Sequence, residues 1–184
     1  MTKVSCTSPQ QIDDRVARRN ALVLAVAQAF YGMAAVNIII TAGLVGTQIA
    51  PSLSLATLPV STFVIDTALS TIPASMFMRR VGRRAGFLTG AAFGLAGALV
   101  CVWAVFAQDF WLFSFGTFLQ GGYQAFAGYY RFAAADTASA SFKPKAISWV
   151  MIGGIAAATL GPMLVIVSRD YFAPVMFAGN FASI

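Results

Sequence analysis

Five long, predominantly apolar runs dominate this chain, at positions 21–46, 55–78, 85–107, 110–135 and 146–167, each bounded by short polar or turn-forming stretches. A helix that crosses the roughly 30 Å hydrocarbon core of a bilayer needs about 20 such residues. The pattern therefore predicts an all-α, polytopic membrane protein. A sixth run covers 171–184 and is too short for a full crossing, so the sixth helix reads as truncated and the chain as the front part of a longer protein. A short re-entrant end is the alternative. Positions 1–19 read as a polar tail ahead of a six-helix bundle over 20–184.

Composition agrees, with 59% hydrophobic and 10% charged residues where soluble chains carry about a quarter charged. Twelve Lys and Arg stand against six acidic residues, all Asp, and there is no His. The usual zinc ligands and general bases are thereby missing, so the expectation is no metal, no cofactor and no enzyme. Cys6 and Cys101 fall in the tail and in a lipid-embedded run, where a disulfide is not expected. Nor is the first run a signal peptide: its apolar stretch continues well past the 7–15 residues typical of one.

The positive charges are lopsided. Lys3, Arg15, Arg18 and Arg19 precede the first run; Arg79, Arg80, Arg83 and Arg84 separate the second and third; Lys143 and Lys145 separate the fourth and fifth. Only Arg169 lies in the opposite connections. Lys and Arg are retained in cytoplasmic loops, so a cytoplasmic N-terminus is expected. The net charge of +6 is explained by topology, and scattered loops offer no folded basic face for nucleic acid. Trp103, Phe106, Phe110, Trp111 and Trp149 fall near run ends, as interfacial anchors do.

Asp66 and Arg131 are the ionisable residues inside runs, where a charge is costly unless it faces protein or water. Pro59, Thr62, Asp66, Ser70 and Pro73 follow helical spacing and form one small, polar stripe directed at the bundle interior. Asp66 is thus a candidate proton or cation site, with a hydrogen-bonded structural carboxylate as the competing account. Gln120, Gln124 and Arg131 share a face of the fourth run, flanked by Tyr123 and Tyr130, and could hold a polar, anionic or planar ligand. Alternatively Arg131 snorkels to water or pairs with Asp136. Gln28 and Asn37 lie on opposite sides of the first run, so at most one lines the same cavity. Gly86, Gly90 and Gly94, and likewise Gly153, Ala157 and Gly161, recur every four residues as packing seams.

The segment carrying Ser75, Arg79, Arg80, Gly82, Arg83 and Arg84 resembles the major facilitator superfamily signature Gly-x-x-x-Asp-Arg-x-Gly-Arg-Arg/Lys between the second and third helices. Ser75 takes the place of the glycine and Arg79 that of the aspartate. In the family this acid helps to latch the outward-facing state, so Arg80, Arg83 and Arg84 are expected mainly as anchors. Gln120, Gly121 and Ala125 are similar to part of the family's fourth-helix motif, with Thr117 where an arginine would stand and Tyr123 where a glycine would. Gly161 and Pro162 look like the core of its fifth-helix motif. The segments 130–136 and 144–149 resemble a poorly characterised group of bacterial permeases, some relatives of which import riboflavin.

The resemblance implies the N-terminal six-helix half of a twelve-helix secondary transporter in a bacterial inner membrane. It would move a small-molecule solute by alternating access, with protons as a candidate coupling ion and a C-terminal half supplying the rest of the cavity. A six-helix channel or scaffold acting as a homo-oligomer is the alternative.

Overall fold

The computed structural model describes residues 14–168, and the sixth run, Cys6 and Arg169 lie outside them. The described chain is helical without strands: α1 Asp14–Ile49, a 3₁₀ turn Leu53–Leu55, α2 Leu58–Val81, α3 Arg83–Ala107, α4 Phe110–Ala127, α5 Tyr130–Asp136 and α6 Lys143–Ser168. α1, α2 with its leading turn, α3 and α6 are each long and apolar enough to cross a membrane. α4, with 18 residues, is not among them, because its sequence spends positions on Gln, Gly and Ser that lie against other helices.

Two differences from the sequence expectation concern boundaries. The first helix is already formed at Asp14, the first described residue, where the sequence predicts a tail reaching position 19. Its opening turns have a packing partner: Ala17 and Ala21 are fully buried with Ala138, Phe142 and Ala146, and the Arg18 guanidinium lies 5.7 Å from the Phe142 ring centre. The fourth run, expected as one helix over 110–135, is broken at Gly128 and Tyr129. There the Tyr129 N–H bonds to the Phe126 carbonyl, three residues back instead of four, which tightens the turn and redirects the chain into α5.

Helix packing follows small residues. Along α6, a side chain at Gly153 would collide with the Ala25 carbonyl, Ala157 sits against Gly32, and Gly161 lies beneath Val36. The α1–α6 pair is therefore a backbone-to-backbone seam of the kind lipid-embedded helices need, because the bilayer gives apolar side chains no reason to leave it. On α3, Gly90, Gly94 and Gly97 receive Phe126, Tyr123 and Gln120 of α4, and Gly116 of α4 receives Cys101. α2 meets α4 at Gly121, where a Cβ would strike the Phe63 carbonyl.

An apolar cluster of Ile38, Val45, Phe63, Val105 and Phe113 closes one end of the bundle. The cluster around Ala17, Tyr130 and Phe142 closes the other. Every described Lys and Arg gathers toward that second end, at the start of α1, the α2–α3 joint, α5 and the start of α6. Trp103 and Trp111 are 70% and 63% exposed near the first end, as anchors would be, whereas Trp149 is half-buried against Phe142.

These contacts predict a contrast between glycines. Gly153→Val should lower resistance to unfolding in mixed detergent by about 1–3 kcal/mol, the range for overpacking a tight site. Gly43→Ala, where an added Cβ meets nothing within 4 Å, should stay within about 0.5 kcal/mol of the parent or exceed it.

Candidate functional site

α2 starts with Pro59 in its first turn, a position where the missing N–H costs nothing, and from there its polar stripe turns toward α4. The Thr62 hydroxyl lies 3.0 Å from that of Thr117 and 3.1 Å from the Ser114 carbonyl oxygen. One turn on, Asp66 is 6% exposed, and the Ser70 hydroxyl donates to its Oδ1 at 2.8 Å. The carboxylate also faces the backbone amide of Gly122. A Cβ built at Gly122 would come within 3.2 Å of Oδ2, so the absence of a side chain there is what admits the acid. Thr67 closes the seam, donating to the Gly121 carbonyl at 3.3 Å. Along the stripe Pro59 and Asp66 are buried, Thr62 and Ser70 half-buried and Pro73 exposed.

Gln120 is fully buried, but in the α3–α4 seam, where Nε2 donates to the Gly94 carbonyl at 3.0 Å. That bond fixes the amide orientation, since a carbonyl only accepts, and leaves Gln120 Oε1 buried without a partner. Gln124 is half-buried and its Oε1 is likewise unpaired. Tyr123 packs beside Tyr130 and against Tyr31 of α1, their ring centres 5.1 Å apart and nearly perpendicular for the Tyr31–Tyr123 pair. Phe87 of α3 meets Tyr130 at 4.8 Å.

Tyr31 is the residue the sequence did not single out. It is 7% exposed with its hydroxyl buried and unpartnered, and nothing but its spacing of three from Gln28 sets it apart in the sequence. An unpaired polar atom inside a lipid-embedded bundle costs of order 1–3 kcal/mol, so the three of them, one on α1 and two on α4, mark the surroundings of α4 as polar without full internal compensation. Gln28 is half-buried on the α6 side of α1, its Nε2 4.0 Å from the Cβ position of Gly154. Asn37 is fully buried and accepts from Thr41 at 2.9 Å.

Arg131 does not join the glutamines. The break at Gly128 and Tyr129 intervenes, and its exposed guanidinium lies 5.1 Å from the Phe132 ring centre. Its expected partner, Asp136, pairs instead with Arg83 at the start of α3. Arg83 is therefore more than a membrane anchor: it ties the α2–α3 joint to the end of α5. Gly82 makes that joint with φ of 93°, a left-handed value that a side chain would strain. Ser75 donates to the Ile72 carbonyl at 2.9 Å, while Arg79, Arg80 and Arg84 are exposed. Gly161 and Pro162 lie within α6, the glycine buried and the proline exposed. Among the described residues no His, Cys, Asp or Glu cluster could hold a metal.

Both partners of the Arg83–Asp136 pair are substantially exposed, at 40% and 55%, so its net worth should not exceed about 1 kcal/mol. Asp136→Asn should lower unfolding resistance by no more than that, and the swap Arg83→Asp with Asp136→Arg should recover part of the loss; a double-mutant cycle reads the coupling directly.

No family model matches the chain, and no solved structure matches it. It is 44% identical over 171 residues, 93% of its length, to the riboflavin transporter RfnT of Brucella anthropi. It is also 26% identical over 154 residues to the uncharacterised MFS-type transporter YdeG of Bacillus subtilis. The chain spans 43% and 36% of the length of these relatives. The relatives agree with what the motifs implied: this is an all-α membrane chain similar to proteins named as transporters, one of them of the major facilitator type.

Proposed function

We propose that this relative of major facilitator transporters forms the N-terminal half of a secondary active transporter for a small organic solute. The observation that carries the reading is the 44% identity to a riboflavin transporter along nearly the whole chain. A planar solute rich in hydrogen-bonding groups, of the kind that relative's name specifies, is the proposed substrate class. Buried Tyr and Gln side chains suit such a solute, because rings offer flat contact and amides offer donors and acceptors. The proposed setting is a bacterial inner membrane with the basic end of the bundle cytoplasmic, in keeping with the retention of Lys and Arg on that side. A second six-helix half completes the cavity, and alternating access arises by rocking of one half against the other.

Within this scheme Asp66 is the proposed coupling residue. It is a buried carboxyl in a helix that crosses the membrane, and its hydrogen-bond partners lie on two helices. A proton taken up there would change the contact between α2 and α4, since the charge faces Gly122 across the seam. Gln28, Tyr123, Gln124 and Arg131 are proposed to contribute to the solute path, Arg131 from its exposed position near the basic end.

The experiment is uptake into proteoliposomes by the native gene product, whose mass is first compared with the 19.4 kDa of this chain, a value near twice that being the outcome expected of a two-half transporter. Asp66→Asn should abolish accumulation driven by an imposed proton gradient and preserve exchange of labelled riboflavin across the bilayer. Gradient-driven accumulation at the parental rate would remove the coupling role. Failure of the parent to bind or exchange riboflavin would remove the substrate class while leaving the transporter reading in place.

A further inference from the structure

The α2–α3 joint places Arg79, Arg80, Arg83 and Arg84 within six residues, at the junction of two membrane-crossing helices. Gly82 allows α2 to end and α3 to begin with one residue between them, so none of these side chains can lie far from the membrane surface. Asp136 answers Arg83 alone, and among the described residues no carboxylate pairs with Arg79, Arg80 or Arg84. Two cavities meet at Arg79. One, of about 290 Å³, is walled by Ser75, Arg83 and Tyr129; the other, of about 350 Å³, by Met76 and Arg80. The Ser75 and Tyr129 hydroxyls already donate to the carbonyls of Ile72 and Thr71, so the free donors in this hollow are guanidinium N–H groups. Directly below, α2 presents an apolar flank, with Leu69, Ile72 and Met76 at 64%, 68% and 50% exposure.

We propose that the hollow around Arg79 seats the phosphate of an anionic phospholipid, with an acyl chain lying along the Leu69–Ile72–Met76 flank. Charge and depth select this occupant. A guanidinium binds phosphate oxygens in a bidentate manner, and a basic pocket between spans at the membrane surface is a recognised headgroup site. A zwitterionic headgroup fits less well, because its ammonium would enter a cluster of arginines whose one acidic neighbour is already engaged. The apolar flank beneath gives the lipid an advantage over a soluble phosphate, which has nothing to place there. This proposal does not depend on the identity of the transported solute.

The test is native mass spectrometry of the native gene product released from nanodiscs of equal phosphatidylglycerol and phosphatidylcholine, with helicity checked by circular dichroism. The parent should retain phosphatidylglycerol about fivefold or more over phosphatidylcholine, the advantage expected of one well-placed arginine. Arg79→Gln should bring the ratio close to one, Arg79→Lys should retain most of the preference, and Lys145→Gln, in the first turn of α6, should leave it unchanged. Equal retention of the two lipids by the parent, or an undiminished preference in Arg79→Gln, would overturn the proposal. So would an equal loss in Lys145→Gln, which would show diffuse attraction rather than a site. Retention of inorganic phosphate by the parent without preference between the lipids would make the hollow a site for a soluble anion and refute the lipid.

Discussion

Backbones must come close before anything else in this bundle can be placed. In lipid, apolar side chains lose nothing by facing outward, so association rests on van der Waals contact between small residues and on polar groups that bond across helices. Gly153 against Ala25, Gly97 against Gly116 and Gly121 against Phe63 are points of such approach between helices. The polar features sit on top of these contacts. Asp66 reaches the α4 backbone because Gly122 has no side chain, and Gln120 reaches the Gly94 carbonyl because Gly97 gives it room. The same glycines that draw the helices together thus decide where a charge or an amide can be buried.

Much of this was legible in the sequence because it depends on length and periodicity. Long runs without turn residues are helices in lipid, and glycines repeating every four positions share a face in any helix, so the small-residue faces of α3 and α6 follow directly. The Pro59, Thr62, Asp66 and Ser70 stripe was legible for the same reason. Which neighbour a stripe meets is a different kind of information. Gln120, expected in an open cavity, is enclosed against α3, and only the arrangement of three helices decides between those two fates. Tyr31 was hidden because a tyrosine among apolar residues has no local mark; its partners are separated from it by about 90 and 100 positions. The break after Ala127 was masked by composition, since no proline or polar turn cluster interrupts 125–134 and a single Gly128 is tolerated in many helices.

The basic joint shows how one substitution in a familiar pattern alters local electrostatics. With Arg79 where the related pattern has an acid, Asp136 is the one described carboxylate near four arginines, and it is committed to Arg83. Arg131, which might have competed for it, lies instead beside Phe132. The ion pair joins residues 53 positions apart and holds the short α5 against the start of α3, so the direction of the chain after the break in the fourth span is set partly by charge rather than by helix continuity.

The length of α1 has a mechanical corollary. Thirty-six residues make a rod of about 54 Å, against a hydrocarbon core of roughly 30 Å, so a considerable part of it stands clear of the lipid tails. It packs on α6 from Ala25 to Val36, near its middle, and again through Ala17 and Ala21, which are buried with Ala146 at the start of α6. Held along its length in this way, the part of the rod beyond the lipid tails cannot swing freely, and the basic side chains of its first turns keep a fixed height relative to the start of α6.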